Sequence, residues 1–195
     1  MGNIGIVILA AGASRRLGQP KQLIPYLDKF LIQHIIEVAI HSSCKSIIVV
    51  LGAYKDKIKP HLTHFDIHIA FNEKWSQGMS TSIQCGLNHI QKLESNLDGF
   101  ILMLCDQPFV STNLINQLVE KYHKKNSLIV ASQYNDIVGV PALFDKSLFP
   151  EILNLKGDIG AKKLIRLYDK DVVKIPFPKG EIDLDTPDDI KNYIN

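Results

Sequence analysis

Three cations, Arg15, Arg16 and Lys21, share a short N-terminal stretch with two glycines, Gly12 and Gly18. The stretch reads Leu9-Ala-Ala-Gly-Ala-Ser-Arg-Arg-Leu-Gly-Gln-Pro-Lys21 and follows directly on an apolar run. Glycine lets backbone amides approach an anion closely and permits turns that a Cβ would block. In an open α/β sheet, a loop leaving the carboxyl end of a strand is where ligands bind. The stretch is therefore expected to cradle a triphosphate. Two familiar nucleotide loops do not fit it. The pattern GxxxxGK[ST] fails because Gln19 follows Gly18, and GxGxxG fails because Ser14 stands at its second glycine. An exposed glycine-rich turn with solvated charges is the plainer alternative.

Carboxylates suited to a hard cation lie elsewhere in the chain. The apolar run Phe100 to Leu104 ends in Cys105-Asp-Gln-Pro108. An acidic residue at the end of a buried strand points into a cleft, where Mg²⁺ would find one or two carboxylates and phosphate oxygens. Asp106 would serve equally to cap the next helix or to stabilise a turn ahead of Pro108. In Ile182-Asp-Leu-Asp-Thr-Pro-Asp-Asp189, Asp183 and Asp185 alternate along an extended segment and should face one side. Thr186 can cap a helix starting at Pro187, with Asp188 and Asp189 favouring its N-terminus. That accounts for the last two aspartates and leaves the first two for chemistry. In Asn72-Glu-Lys-Trp-Ser-Gln-Gly-Met-Ser-Thr-Ser-Ile83, Gly78 opens a helix that Ser80 and Ser82 continue. Amides and hydroxyls gathered there suit an anion or a base edge; an ordinary capped helix, with Trp75 as packing, is the alternative.

These residues need a scaffold, and the hydrophobic pattern supplies one. Nearly continuous apolar runs at 5–10, 46–51, 67–71, 99–104 and 128–131 read as strands buried on both faces. Segments 31–41, 78–93 and 113–124 carry apolar residues at three- and four-residue steps, as core-facing helices do. Strand–helix–strand repetition predicts a parallel, doubly covered sheet with right-handed crossovers, in one compact α/β domain over 1–195. From about Asn135 the alternation loosens around Pro141, Pro150, Pro176, Pro178 and Pro187. This part is expected to add edge strands and helices around the cleft.

Composition narrows the class. At 46% apolar and 22% charged, the 195 residues are those of an ordinary globular chain, and a net charge of +2 argues against a nucleic-acid partner. The cluster Lys121, His123, Lys124 and Lys125 suits a helix C-terminus. Cys44, Cys85 and Cys105 form no CxxC pair, the usage of a reducing cytosol, so a cytoplasmic location is expected. No run reaches the ~18 apolar residues of a membrane span, and the N-terminal apolar run lacks a charged leader. His61, His64 and His68 read as solvated or packing residues, and no Ser–His–Asp or Cys–His order is persuasive.

The N-terminal stretch resembles the LAAGxSxRxGxxK signature of the MobA-like nucleotidyltransferases, in particular their molybdenum-cofactor cytidylyltransferase branch. Leu9, Ala10, Ala11, Gly12, Ser14, Arg16, Gly18 and Lys21 all match. Cys105-Asp-Gln-Pro108 is similar to the family's DQP motif, and Ile182 to Asp189 to its DIDTPED element. Residues 72–83 are similar to its N…W…GMxxS stretch. Gly139-Val-Pro-Ala-Leu-Phe144 resembles its GHPVLF element and Gly157-Asp-Ile-Gly-Ala161 its GDxGA element.

The resemblance implies a three-layer α/β/α, Rossmann-like, mostly parallel sheet of the nucleotide-diphospho-sugar transferase type. It assigns catalysis to Arg16, Lys21 and Asp106, and nucleotide contacts also to Leu9, Ala10, Ala11, Gly12, Ser14, Asn72, Gly78 and Ser82. It gives Mg²⁺ to Asp106 and Asp185, with Asp183 the weaker candidate. The acceptor falls to Gly139, Pro141, Asp158 and Gly160, although Asp158 would equally suit a helix cap. Val140 departs from the polar residue, often His, expected between that glycine and proline, which bears on the acceptor's identity. Ala11 favours CTP. The implied acceptor is molybdopterin or its molybdenum-bearing form, with a molybdoenzyme or its chaperone as a possible protein partner. A sugar phosphate is the alternative acceptor. From other classes, the alternatives are an NAD(P)-dependent oxidoreductase, since the family has members so named, and a non-catalytic cofactor-binding subunit.

Overall fold

A computed structural model describes residues 2–193. Strand β1 (Ile4–Ala10) is buried along its whole length. Its alternate residues feed opposite layers, Ile6 and Ile8 one side and Val7 and Leu9 the other, as period-two geometry requires. A short hairpin, β2 (Pro25–Tyr26) and β3 (Lys29–Phe30), leads into α1 (Leu31–Ile40). Then come β4 (Ile47–Leu51), α2 (Lys55–Ile58), β5 (His68–Phe71), α3 (Met79–Leu93), β6 (Gly99–Leu104) and α4 (Thr112–Lys125). The second half holds β7 (Ile129–Tyr134), β8 (Ile137–Asp145), α5 (Phe149–Leu153), α6 (Lys162–Leu167), β9 (Val172–Pro176) and α7 (Pro187–Tyr193).

The main sheet has seven strands in the order β5-β4-β1-β6-β8-β7-β9. All its pairings are parallel except the two that β8 makes with β6 and β7. Helices α1 and α4 cover one face through Ile32, Ile36, Ile115 and Leu118. Helices α3, α5 and α6 cover the other through Leu87, Ile90, Ile152 and Ile165. The expected three-layer, mostly parallel architecture is the one found. Helix α4 is capped by Ser111, whose hydroxyl accepts from the Leu114 amide (3.2 Å). It ends at a left-handed Asn126 with His123, Lys124 and Lys125 in its last turn.

Strand β8 corrects the expectation that the chain beyond Asn135 adds only edge strands. It lies inside the sheet, between β6 and β7, and only β9 sits at the edge. Its interior carries Gly139 and Pro141, residues that ordinarily argue against a central strand. The pairing tolerates them because the β7–β8 register shifts between Ala131 and Ser132, passing over Val140 and Pro141. Pairing with β6 likewise stops at Leu102 opposite Ala142. The Pro141 carbonyl is satisfied by the Ser132 hydroxyl (2.7 Å). Antiparallel direction follows from a tight turn at Asn135-Asp136, where Asn135 adopts φ 50°.

Helix α3 packs unusually close to the sheet at Gly86, where a Cβ would lie 2.3 Å from Val7 Cγ1 and 3.0 Å from Val50 Cγ2. Alanine would gain about 1 kcal/mol of helix propensity. It would also overpack a site whose β-branched neighbours cannot rotate away, at about 1–3 kcal/mol. Gly86→Ala is expected to lower the melting temperature by a few degrees, read by thermal denaturation; a rise would show that the layer gives way more easily than its packing implies.

Candidate functional site

Between the carboxyl ends of β1 and β6 and the start of α3 lies a cleft of about 410 Å³. Its lining includes Leu9 to Ala13, Arg15, Lys21, Trp75, Gly78, Ser82, Asp106 and Asp158. It opens at the strand ends, where this topology places ligands.

The loop after β1 is built to hold an open backbone. Ser14 takes φ 47°, and its carbonyl accepts from the amides of Leu17 (3.0 Å) and Gly18 (3.2 Å). Its hydroxyl accepts from the Lys21 amide (3.1 Å), fixing the segment that carries the lysine. Gly18 sits at φ 67°, where a side chain would be strained. A Cβ on Gly12 would meet nothing within 4 Å, so that backbone faces open space and a ligand can come close. Two residues that sequence reasoning missed steady the loop from behind. Buried Gln22 donates through Nε2 to the carbonyls of Ala10 (2.8 Å) and Gly12 (3.3 Å). Gly52 backs Ala11 so tightly that a Cβ would lie 2.7 Å from its carbonyl oxygen. Neither carries a local signal, because both act only through contacts made in the fold.

The amino terminus and the far aspartates meet here. Lys21 Nζ bonds Asp106 Oδ2 directly and lies 2.9 Å from Asp185 Oδ1. Arg16 reaches Asp185 from the outside at 2.5 Å. The bond from the Leu184 amide to the Asp106 carbonyl (2.9 Å) brings the two segments together. Leu184 is wholly buried, so Asp183 and Asp185 on either side of it share the opposite face, as the alternation predicts. Burial acts to strip Lys21 of its charge, but the carboxylates of Asp106 and Asp185 outweigh it and hold the ammonium above the ordinary lysine pKa. Asp183 keeps contact with solvent, yet partial burial and then the charges of Asp106 and Asp185 push its pKa up to about 7. Asp106 does not cap a helix, since α4 starts at Thr112 behind Ser111. Its Oδ1 is buried without a hydrogen-bond partner. A hard cation would satisfy that oxygen, so the donor set fits Mg²⁺. At the next element Thr186 and Asp189 form a reciprocal cap, Asp189 N to Thr186 Oγ1 (3.2 Å) and Thr186 N to Asp189 Oδ2 (2.7 Å).

The opposite wall is the start of α3. Asn72 is buried and does not line the cleft; its amide donates to Thr81 Oγ1 (2.8 Å) and Ser82 Oγ (2.9 Å). It holds the helix start in place, and Ser82 presents to the cleft. The Ser80 amide is taken by the Gly157 carbonyl (3.1 Å), which docks the 157–160 loop onto the helix. Asp158 from that loop lines the cleft and caps no helix, because α6 begins at Lys162 without a side-chain cap. Gly160 lies against Met79, a Cβ there falling 2.9 Å from its Sδ. Gly139 and Pro141 stand outside the cleft in β8. Of the two arginines, Arg15 lines the cleft and Arg16 does not. His61 packs edge-on against Phe30 and His64 against Phe65.

Gly78 makes the docking possible. At φ 113° it occupies backbone space closed to other residues, and a Cβ would lie 2.3 Å from the Gly157 carbonyl carbon. Gly78→Ala is expected to displace the 157–160 loop and destabilise by about 1–3 kcal/mol. Faster proteolytic cleavage within that loop would report it; a wild-type cleavage rate and melting curve would remove the docking from the account.

A mostly parallel sheet whose strand ends carry a glycine loop, a shared lysine and facing carboxylates fits a phosphorylated ligand bound with a cation. The comparisons give the family: the chain belongs to the MobA-like NTP transferase family, whose model matches residues 6–172. It is 24% identical over 190 residues to a molybdenum cofactor cytidylyltransferase of Escherichia coli, spanning 97% of this chain and 94% of that one. It is 29% identical over 169 residues to a nicotine blue oxidoreductase of Paenarthrobacter nicotinovorans, spanning 82% of this chain and 80% of the relative. The crystal structure of Rv0371c from Mycobacterium tuberculosis superposes with TM-score 0.86 at 29% identity, covering 99% of this chain and 98% of that one. A second structure of Rv0371c, in complex with manganese, superposes with TM-score 0.79 at 27% identity, covering 98% of both chains. The protein is thus a nucleotidyltransferase of this family, related to the molybdenum cofactor transferases. No helix among its described residues is long and apolar enough to cross a membrane.

Proposed function

We propose that the protein transfers CMP from CTP to a phosphorylated, pterin-type acceptor, releasing pyrophosphate. The observation that carries this is the placement of Lys21 between Asp106 and Asp185 on the rim of the Gly12 cleft. An oxygen of the acceptor phosphate attacks the α-phosphorus in line, forming a P–O–P bond as the bond to the β-phosphate oxygen breaks. At neutral pH that oxygen is already ionised, so no covalent nucleophile or strong base is needed. Positioning and charge neutralisation supply the rate.

The residues divide that work. Backbone from Ala10 to Ala13 approaches the triphosphate, with Arg15, Arg16 and Lys21 opposing its charge. Ser82 and the start of α3 face the base. Asp106 and Asp185 would hold Mg²⁺, which supplies Lewis-acid stabilisation of the phosphates when bound. That a relative was crystallised in complex with manganese is in keeping with use of a divalent ion. Ala11, in the LAAG pattern, favours cytosine, and the cytidylyltransferase relative supports that choice. A molybdoenzyme or its chaperone would receive the product.

A pyrophosphate-release screen of CTP, GTP, ATP and UTP against molybdopterin and common sugar phosphates, with Mg²⁺, tests the reading. CTP with molybdopterin is expected to give the largest kcat/KM. The oxidoreductase name of one relative makes NAD(P)H oxidation the control arm. Turnover there without pyrophosphate release would replace the transferase reading.

A further inference from the structure

Beyond the cleft, on the side of Asp183, the acceptor elements enclose a second small constellation. Tyr134 ends β7 and is 5% exposed. Its ring is locked, edge-on to Phe177 with centroids 6.3 Å apart and against Gly180, where a Cβ would lie 2.3 Å from its Cδ1. Among the described residues the hydroxyls of Tyr26, Tyr122 and Tyr168 find protein partners and those of Tyr54, Tyr134 and Tyr193 do not; of these three only Tyr134 has a buried ring. It lies over Gly139, 2.4 Å from where a Cβ would stand. Lys162 Cε approaches the same point at 3.6 Å. Lys162, exposed at the start of α6, makes no salt bridge among the described residues.

A rigid hydroxyl that has no protein partner and stays open to solvent, beside an unpaired cation, is an anion-binding pair. Its location gives it a task. A phosphate approaching Asp106, Asp183 and Asp185 meets carboxylates; Lys21 already faces these from the nucleotide side, and Arg16 is paired with Asp185 from outside the cleft. A counter-charge on the approach side is needed, and Lys162 stands there: the Tyr134 ring beside it packs on Gly180, whose carbonyl accepts from Gln107, the neighbour of Asp106 (3.0 Å). Burial first, then the charges of Asp183 and Glu181, raise the Tyr134 pKa, so its hydroxyl stays a donor.

We propose that Tyr134 and Lys162 form the anion-binding half of the acceptor subsite, holding the phosphate of a phosphate monoester above Gly139. This rests on the phosphorylated-acceptor reading and adds two residues to it. It also explains Gly139 physically: the Tyr134 hydroxyl stands where any side chain would begin.

Site-resolved acetylation with mass spectrometry tests the subsite without turnover, using inorganic phosphate as probe. Phosphate is expected to slow acetylation of Lys162 about fivefold, the value of roughly one hydrogen bond, and to leave exposed Lys163 unchanged. Tyr134→Phe should reduce the protection to under about twofold. Equal slowing of Lys162 and Lys163, or full protection in Tyr134→Phe, would overturn the proposal. In turnover, Lys162→Ala is expected to raise KM for the acceptor about tenfold, leave KM for the nucleotide unchanged, and be rescued by Lys162→Arg. Wild-type protein that protects Lys162 yet releases no pyrophosphate would refute the transferase reading and keep the subsite. Active enzyme with an unaltered acceptor KM in Lys162→Ala would do the reverse.

Discussion

Lys21→Ala is expected to lower kcat/KM by about 10²–10³-fold, the usual loss when one preorganised electrostatic contact to the transition state is removed. Lys21 is the point where three segments meet. Its amide is held by Ser14, and its ammonium is shared by Asp106 and Asp185. Its side chain is only 16% exposed, so solvent will not replace the missing charge. The effect should not vary between about pH 6 and pH 9. A lysine whose folded pKa lies above its unfolded value contributes its full stabilisation below about pH 10.4 and loses it only as pH rises through the folded value. The ammonium is thus present across the assay range. The variant should also melt lower in the absence of divalent ions, because two carboxylates lose their shared counter-ion. Initial rates and melting curves at several pH values check both. Wild-type turnover would remove Lys21 from the mechanism.

Asp106→Asn is expected to abolish most activity, by at least about 10²-fold, while leaving the fold intact. The amide keeps the shape and can still accept from Lys21, but it removes the charge and the anionic character of the buried, unpartnered oxygen. Removing the Asp106 charge takes away the main partner of the buried Lys21 ammonium, so the metal-free variant should melt lower than the wild type, with relief of repulsion at Asp183 and Asp185 offsetting part of the loss. The signature is a shifted Mg²⁺ dependence, with half-saturation moved to higher concentration. An unchanged Mg²⁺ profile would mean that Asp106 only anchors Lys21. Separating this loss of metal response from simple unfolding is the reason for choosing asparagine.

Much of this arrangement is legible along the chain. The strands β1, β4 and β6 announce themselves because burial on both faces demands unbroken apolar runs. Helices α1, α3 and α4 do so because one face must meet a sheet. The Asp183–Leu184–Asp185 alternation survives folding because period-two geometry is local and Leu184 has a core to enter. What is not legible depends on contacts distant in sequence. Strand β8 hides behind Gly139 and Pro141, whose presence inside a sheet makes sense only with the register shift opposite Ser132. Gln22 and Gly52 shape the glycine loop from behind, and nothing in their neighbours says so. The choice of Arg15 over Arg16 for the cleft lining turns on Asp185 capturing the second arginine. Asn72 is found where its motif puts it, but as a brace for Ser82 rather than a wall of the cleft.

The most direct test of the central claim follows the transferred group itself. With CTP labelled at the α-phosphate, molybdopterin and Mg²⁺, label should move into a product that retains the acceptor. Pyrophosphate should appear in equal amount, and Lys21→Ala should suppress both. Label that remains in CTP with every phosphorylated acceptor, or that moves equally well without Lys21, would contradict the account.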